Sequence, residues 1–196
     1  MNSQPEKIIE SIVVTQNPDG TPHIAPFGLR QRNGLLLLAP FRPSTSLDNL
    51  LSGRQVSFNF TVDVRVFAGA LTGRRDWPVI KSLLGAWVLE NALSYQEVKL
   101  VNVIDDDVRP ELYFETQSLV NVSPFMGFNR AQAAVLELCV LVSRLNRLSI
   151  EKIDAEINYL QIAIDKTAGE HEFEAWGWLI DAVENHKATL QGHHVA

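Results

Sequence analysis

Cysteine is nearly missing from this chain: Cys139 stands alone among 196 residues, so no internal disulfide can form. It falls in an apolar stretch with helical spacing, where a small buried hydrophobe is the favoured role over a nucleophile. Basic residues are also scarce, 17 Lys and Arg against 23 Asp and Glu, for a formal net charge of −6. A non-specific nucleic-acid binder needs the opposite balance, so no nucleic-acid partner is expected. No apolar run approaches the about 20 residues that span a bilayer. LLLLAP at Leu35–Pro40 is far too short, and no membrane partner is expected. The opening MNSQPEKIIE has no basic stretch leading into an apolar core, so no secretory signal is expected and the expected location is cytoplasmic. The five histidines show no paired ligand spacing, and GEHEFEAW is not HExxH, so no metal site is expected. Neither a GxGxxG after a strand nor a nucleophile elbow occurs, which disfavours a Rossmann site and a serine hydrolase. No catalytic residue can be named.

What is present is a core. Hydrophobic residues make up 46% and charged ones 20%, enough to bury and too little charge for disorder. KIIESIVVT alternates as a strand and stops at NPDG, where Asp19-Gly20 suits a tight hairpin. TPHIAPFGLRQ returns as a second strand, and Pro22 and Pro26 place it at an edge or on a bulge. RNG turns into LLLLAPF, and QVSFNFT, VKLVNVI and ELYFETQSLVNV are further strands. VDVRVFAGALTG has helical spacing at Val64, Phe67, Ala68 and Leu71, ended by Gly73. From Ala131 to Leu148 the pattern is helical, and Ser149 caps a second helix with Ile153, Ile157, Leu160 and Ile164 in one stripe. A third helix after Gly169 turns Phe173, Trp176, Ile180 and Val183 inward, and fraying is expected beyond His186. The expected fold class is α+β: a β-barrel or β-sandwich over residues 1–124, then an α-helical subdomain over 125–196.

One stretch admits two accounts, a capped turn that is complete without any ligand and an anion site. In FRPSTSLDNL, Phe41 to Leu50, Ser44 or Thr45 caps a short helix, Thr45 with Asp48 resembles a capping box, and Gly53 ends the turn. That explains the hydroxyls but does not require Arg42. A helix start with two hydroxyls and an arginine is also an anion site. Arg30 and Arg32, like Arg74 and Arg75, read as solvated charges, and Asp105–Asp107 as a polar turn.

IIESIVVTQNPDGTPHIAPFGLR followed by RPSTSLDNLLSGRQVSFNFTVDVRVFAGAL resembles the FMN-binding split-barrel proteins of the flavin-reductase and pyridoxamine-phosphate-oxidase type. PFMGFNRAQAAVLELCVLVSRL and KTAGEHEFEAW narrow the resemblance to a family within them with an extra helical C-terminal domain. It runs from Ile8 to about His186 and rests on the ordered set of four stretches. The resemblance implies a six-stranded split barrel, a homodimer, and FMN held where subunits meet. It places the FMN phosphate at Arg42, Ser44, Thr45 and Asn49, and the isoalloxazine ring along His23, Ile24, Ala25, Pro26, Phe27 and Gly28, with backbone beside Ala25 and Pro26 facing its polar edge. Asn129 opens the first C-terminal helix as a cap, and Arg130 either reaches an anion or is an ordinary surface charge. The family's association with tetrahydromethanopterin-linked C1 chemistry makes a pterin-type substrate a further expectation.

Three function classes follow. The first is an FMN-dependent oxidoreductase taking hydride from NADH or NADPH, the cofactor carrying the electrons. The second is a non-catalytic FMN-binding carrier or sensor. The third, a barrel without its ligand, leaves Arg42 and its polar turn unexplained.

Overall fold

The computed structural model describes residues 6–193. Six antiparallel strands close into a barrel: β1 (Ile9–Gln16), β2 (Pro22–Arg32), β3 (Leu35–Leu38), β4 (Val56–Phe60), β7 (Ser94–Ile104) and β8 (Glu111–Asn121), in the order β1-β2-β3-β8-β7-β4. Alternation along each strand sends one set of side chains inward. Val13, Leu29, Leu38, Val56, Phe58, Val98, Leu112 and Phe114 meet there, and the Phe58 and Phe114 rings pack edge-on with centroids 5.2 Å apart. The β1–β2 turn forms as NPDG predicts: Gly20 takes φ +90°, and its N–H donates to Asn17 O at 2.9 Å. A short helix, α1 (Thr45–Leu51), joins β3 to β4 and adds Leu47 and Leu50 to the core.

Between β4 and β7 lies a small ribbon that no pattern in the sequence marks, β5 (Val79–Lys81) and β6 (Trp87–Leu89). Its three-residue strands carry too little alternation to register. Buried polar groups of β4 hold it: Ser57 Oγ donates to Trp87 O at 2.6 Å, and Asn59 Oδ1 accepts from Leu89 N at 3.0 Å.

A second compact unit comprises Val62–Asp76 and the chain from Met126 onward. Its helices are α2 (Arg65–Thr72), α3 (Arg130–Val142), α4 (Ile150–Thr167) and α5 (Glu170–His193). A single division at 124/125 leaves α2 with the barrel; α2 instead packs on α3 and α5, where Val66, Phe67 and Ala68 are buried. Gly73 ends α2 at φ +84°, and Ser149 caps α4, as their sequences predict. Three details differ from expectation. The helix read from Ala131 to Leu148 stops at Val142, where Ser143 caps it, and a 3-10 turn follows at Leu145–Arg147. On α5 Trp176 and Val183 face inward as expected, joined by Glu172, Ala175 and Leu179, while Phe173 is exposed; Glu172 Oε2 accepts from Gly169 N at 2.9 Å. Finally, α5 runs on past His186 to His193. Among the described residues no helix is long and apolar enough to cross a membrane.

Candidate functional site

The barrel is not uniformly paired. β2 registers with β1 without interruption from Gln16↔Pro22 to Ile9↔Leu29, but β3 takes up β2 only from Arg30 onward. Over Pro22–Leu29, β2 therefore has a ladder on one side alone among the described residues. The strand expected at an edge or on a bulge is internal to the closed barrel and has no bulge; its first eight residues form a local edge within the barrel. That is where Pro22 and Pro26, which donate no N–H, are tolerated. His23, Ala25, Pro26, Phe27 and Gly28 are all half-buried along this edge. Phe27 turns its ring to the core, and its carbonyl accepts from Ser11 Oγ at 2.9 Å. A Cβ at Gly28 would meet Ile8 Cγ2 at 2.7 Å, so a side chain there requires the half-exposed Ile8 to shift.

The start of α1 stands beside this edge. Ser44 is the N-cap, its Oγ accepting from Leu47 N at 3.3 Å and donating to Phe41 O at 2.8 Å. The box read from Thr45 to Asp48 does not form, because the helix begins one residue earlier; Thr45 is its exposed first residue. Within the helix Ser46 and Asn49, three apart and on one face, are buried against the β1–β2 hairpin. His23 Nε2 and Ser46 Oγ are hydrogen-bonded at 3.0 Å. The Asn49 amide donates to Thr15 Oγ1 at 3.1 Å and to Asn17 Oδ1 at 2.9 Å, and the Thr15 hydroxyl donates to His23 O at 3.4 Å. His23 and Asn49 are thus brought together, with both amide donors of Asn49 committed to the scaffold. Thr15, Asn17 and Ser46 were missed. The signal for them was a threonine on the inward alternation of Val13 and a Ser46/Asn49 pair at i,i+3.

Arg42 turns to the β7–β8 loop, pairing with Asp105 Oδ1 at 2.8 Å while its N–H donates to Val108 O at 2.9 Å. Both side chains are solvent-exposed, so the pair is weak and exchangeable. Asp106 closes the same loop, accepting from Val108 N at 2.9 Å and from Arg109 N at 2.6 Å. The Arg109 and Val108 amides hold the Asp106 carboxyl below the usual carboxylate range. Arg109, also missed, donates from Nε to Ala39 O at 2.7 Å and stacks 4.7 Å from the Phe41 ring centroid. The Ala39–Ser44 turn thus carries the Arg42 guanidinium and is held by that of Arg109, with the carboxylates of Asp105 and Asp106 in the adjoining loop.

Asn129 and Arg130 lie in the second unit. Asn129 caps α3 as expected, Oδ1 accepting from Ala131 N at 2.7 Å and Nδ2 donating to Thr167 O at 3.0 Å. Arg130 is the exposed first residue of that helix.

Residues 9–121 match the N-terminal domain and residues 129–181 the C-terminal part of DUF447, described as a protein of unknown function. The chain belongs to the DUF447 family. None of the curated proteins matches it. Among solved structures, the fold is similar to an FMN-bound protein, MM1853, from Methanosarcina mazei, also of DUF447. That TM-score is 0.75 at 20% identity, covering 91% of this chain and 96% of that one. An FMN-binding protein from Thermus thermophilus with bound p-hydroxybenzaldehyde gives 0.53 at 14% identity, over 61% and 75%. Flavin reductase HpaC complexed with NADP+ gives 0.52 at 17% identity, over 62% and 83%. The expected α+β fold, a barrel of the FMN-binding type followed by helices, is the one found.

Proposed function

We propose that this DUF447 chain is an FMN-binding flavoprotein that lays the flavin ring along the one-sided edge of β2 and its phosphate at the start of α1. The observation that supports it most is this edge: backbone from His23 to Gly28 without a second ladder, beside a turn carrying Arg42, Ser44 and Thr45. The donor set fits the group. A flavin's polar edge asks for backbone N–H and C=O groups, and its phosphate asks for hydroxyls and a guanidinium. Arg42 needs only to exchange an exposed partner, Asp105, to serve. Asn49 serves instead by holding α1 against β1 and β2. Likeness in fold to FMN-bound MM1853 of the same family supports the same reading.

FMN, when bound, supplies the hydride and electron chemistry that side chains lack. The chain's own residues bind and orient it. The α1 turn fixes the phosphate, and the β2 backbone sets the ring's polar edge. An oxidoreductase of the flavin-reductase type is the favoured activity, with NADH or NADPH as donor and a pterin-type molecule as the first acceptor to assay; the alternative is a carrier or sensor without turnover. Incubation of the purified protein with FMN, followed by gel filtration, tests binding: a yellow protein peak is expected, and a colourless one overturns the proposal. Anaerobic NADH or NADPH then separates the classes, since bleaching of the bound flavin marks the oxidoreductase.

A further inference from the structure

A cavity of about 500 Å³ opens in the barrel unit past the other end of α1 from Arg42 and Ser44. Its size falls in the range of small-molecule sites, about 300–1,000 Å³. Exposed Leu84 and half-buried Leu100 give it an apolar wall, backed by the buried core residues Leu50, Val56 and Val98. The β5–β6 ribbon contributes Leu84, on a tip closed by a Gly85 N to Ser82 O hydrogen bond of 3.1 Å.

The polar lining is unusual. Glu97 is only 2% exposed, and one carboxylate oxygen accepts from Ser82 Oγ at 2.6 Å. The other oxygen makes no hydrogen bond, yet no sealed side-chain oxygen among the described residues lacks a partner. It therefore opens on the cavity that Glu97 lines. A buried carboxylate favours two or more donors. Arg54 and Lys99 line the same cavity, and neither side chain makes an ion pair or hydrogen bond among the described residues. An acceptor without its donor, two cations without an anion and an apolar wall are complementary to one kind of molecule. We infer that this cavity binds a small organic anion whose apolar, ring-sized body carries an N–H or O–H donor. The anion meets Arg54 and Lys99, the donor meets Glu97, and the ring rests on Leu84 and Leu100. The inference stands apart from the flavin reading, which uses neither these residues nor this end of α1.

The test is a titration of 4-aminobenzoate into the full-length, nitrogen-15-labelled protein, read by amide chemical shifts. Benzoate, without the donor, and aniline, without the anion, are the controls. Saturable shifts are expected around residues 54–56, 84 and 97–100, with weaker binding of both controls. Lys99→Gln, on the exposed rim, and Arg54→Gln should each weaken 4-aminobenzoate by about tenfold, the loss of one charge-assisted contact. Glu97→Gln keeps an acceptor for Ser82 and should abolish the preference for 4-aminobenzoate over benzoate. Saturating FMN should leave the titration unchanged. The inference is overturned if no saturable shift appears in this region, or if Lys99→Gln and Arg54→Gln both bind like the parent. It is equally overturned if FMN competes, which makes the cavity part of the flavin site.

Discussion

Asn49 and Thr15 are hydrogen-bonded across α1 and β1, amide to hydroxyl at 3.1 Å, with the two residues 2% and 1% exposed. The same amide reaches Asn17, and the Thr15 hydroxyl reaches the backbone of His23. This buried network sets the position of the turn that precedes it. Asn49→Ala should therefore cost about 1–3 kcal/mol, the penalty for leaving buried polar partners unsatisfied. Denaturant midpoints of the apo-protein check it. A variant of unchanged apo stability that binds FMN poorly would move Asn49 from the scaffold to the cofactor.

Asp63 supplies a pH prediction. Burial works against its charge, but Arg65 outweighs this with a two-pronged contact at 2.9 and 2.7 Å and holds the carboxyl below the usual carboxylate range. A carboxyl depressed in the folded state gives its full stabilisation above the unfolded pKa and loses it as pH falls through the folded one. At neutral pH Asp63→Asn should lose about 1.5–3 kcal/mol, the range for hydrogen bonds to charged groups. The deficit should shrink in acid until the two proteins converge. Midpoints measured against pH check the convergence; a deficit constant across pH would mean that the ion pair is not its source.

Legibility in the sequence followed the length of each pattern. Alternation in KIIESIVVT and the apolar stripe through Ile153 and Ile164 are long, so the main strands and α4 were readable. The β5–β6 ribbon was not, because Val79–Lys81 and Trp87–Leu89 are too short for a period to show. Tertiary contact decided other points. Propensity does not set whether Ser44 or Thr45 caps α1, or whether Phe173 faces in or out. At the candidate site, Arg42 and the Ser44 turn were visible as residue types out of place. The one-sided edge of β2 was not, since it depends on where β3 begins to pair.

The helical unit should not fold from Met126 onward alone. α2, sixty residues earlier in the chain, supplies buried Val66 and Phe67 to α3 and α5, leaving an apolar face open without it. The fragment is expected to melt without cooperativity and to bind a hydrophobic dye. A soluble fragment with a sharp transition would show that α2 is dispensable.

Self-association is expected of the barrel unit. Val101, Val103 and Ile104 on β7 and Leu119 on β8 are 38–58% exposed, more apolar surface than a monomer's ribbon needs to show. A two-fold dimer covers such a face with a second copy of itself. Sedimentation at micromolar concentration should give a dimer, and Val101→Lys with Val103→Lys should shift it to monomer. A monomeric parent would contradict this.

The α1 turn gives the sharpest separation between a cap and a phosphate site. Ser44→Ala removes the acceptor for Leu47 N and should cost about 1 kcal/mol in the apo-protein under either reading. Arg42 makes only an exposed pair with Asp105, so Arg42→Ala should barely move the apo melting point. If Arg42 meets the FMN phosphate, the same change should weaken FMN by about 1.5–3 kcal/mol, on the order of tenfold or more. Arg42→Lys should recover part of this, because an ammonium keeps the charge and loses the fork. Asp105→Asn should strengthen FMN slightly, since it frees Arg42 from a competing carboxylate. Riboflavin, without a phosphate, should bind the parent, both Arg42 variants and Asp105→Asn alike. If Arg42→Ala takes up FMN as tightly as the parent, the phosphate lies elsewhere and FRPSTSLDNL is a capped turn alone.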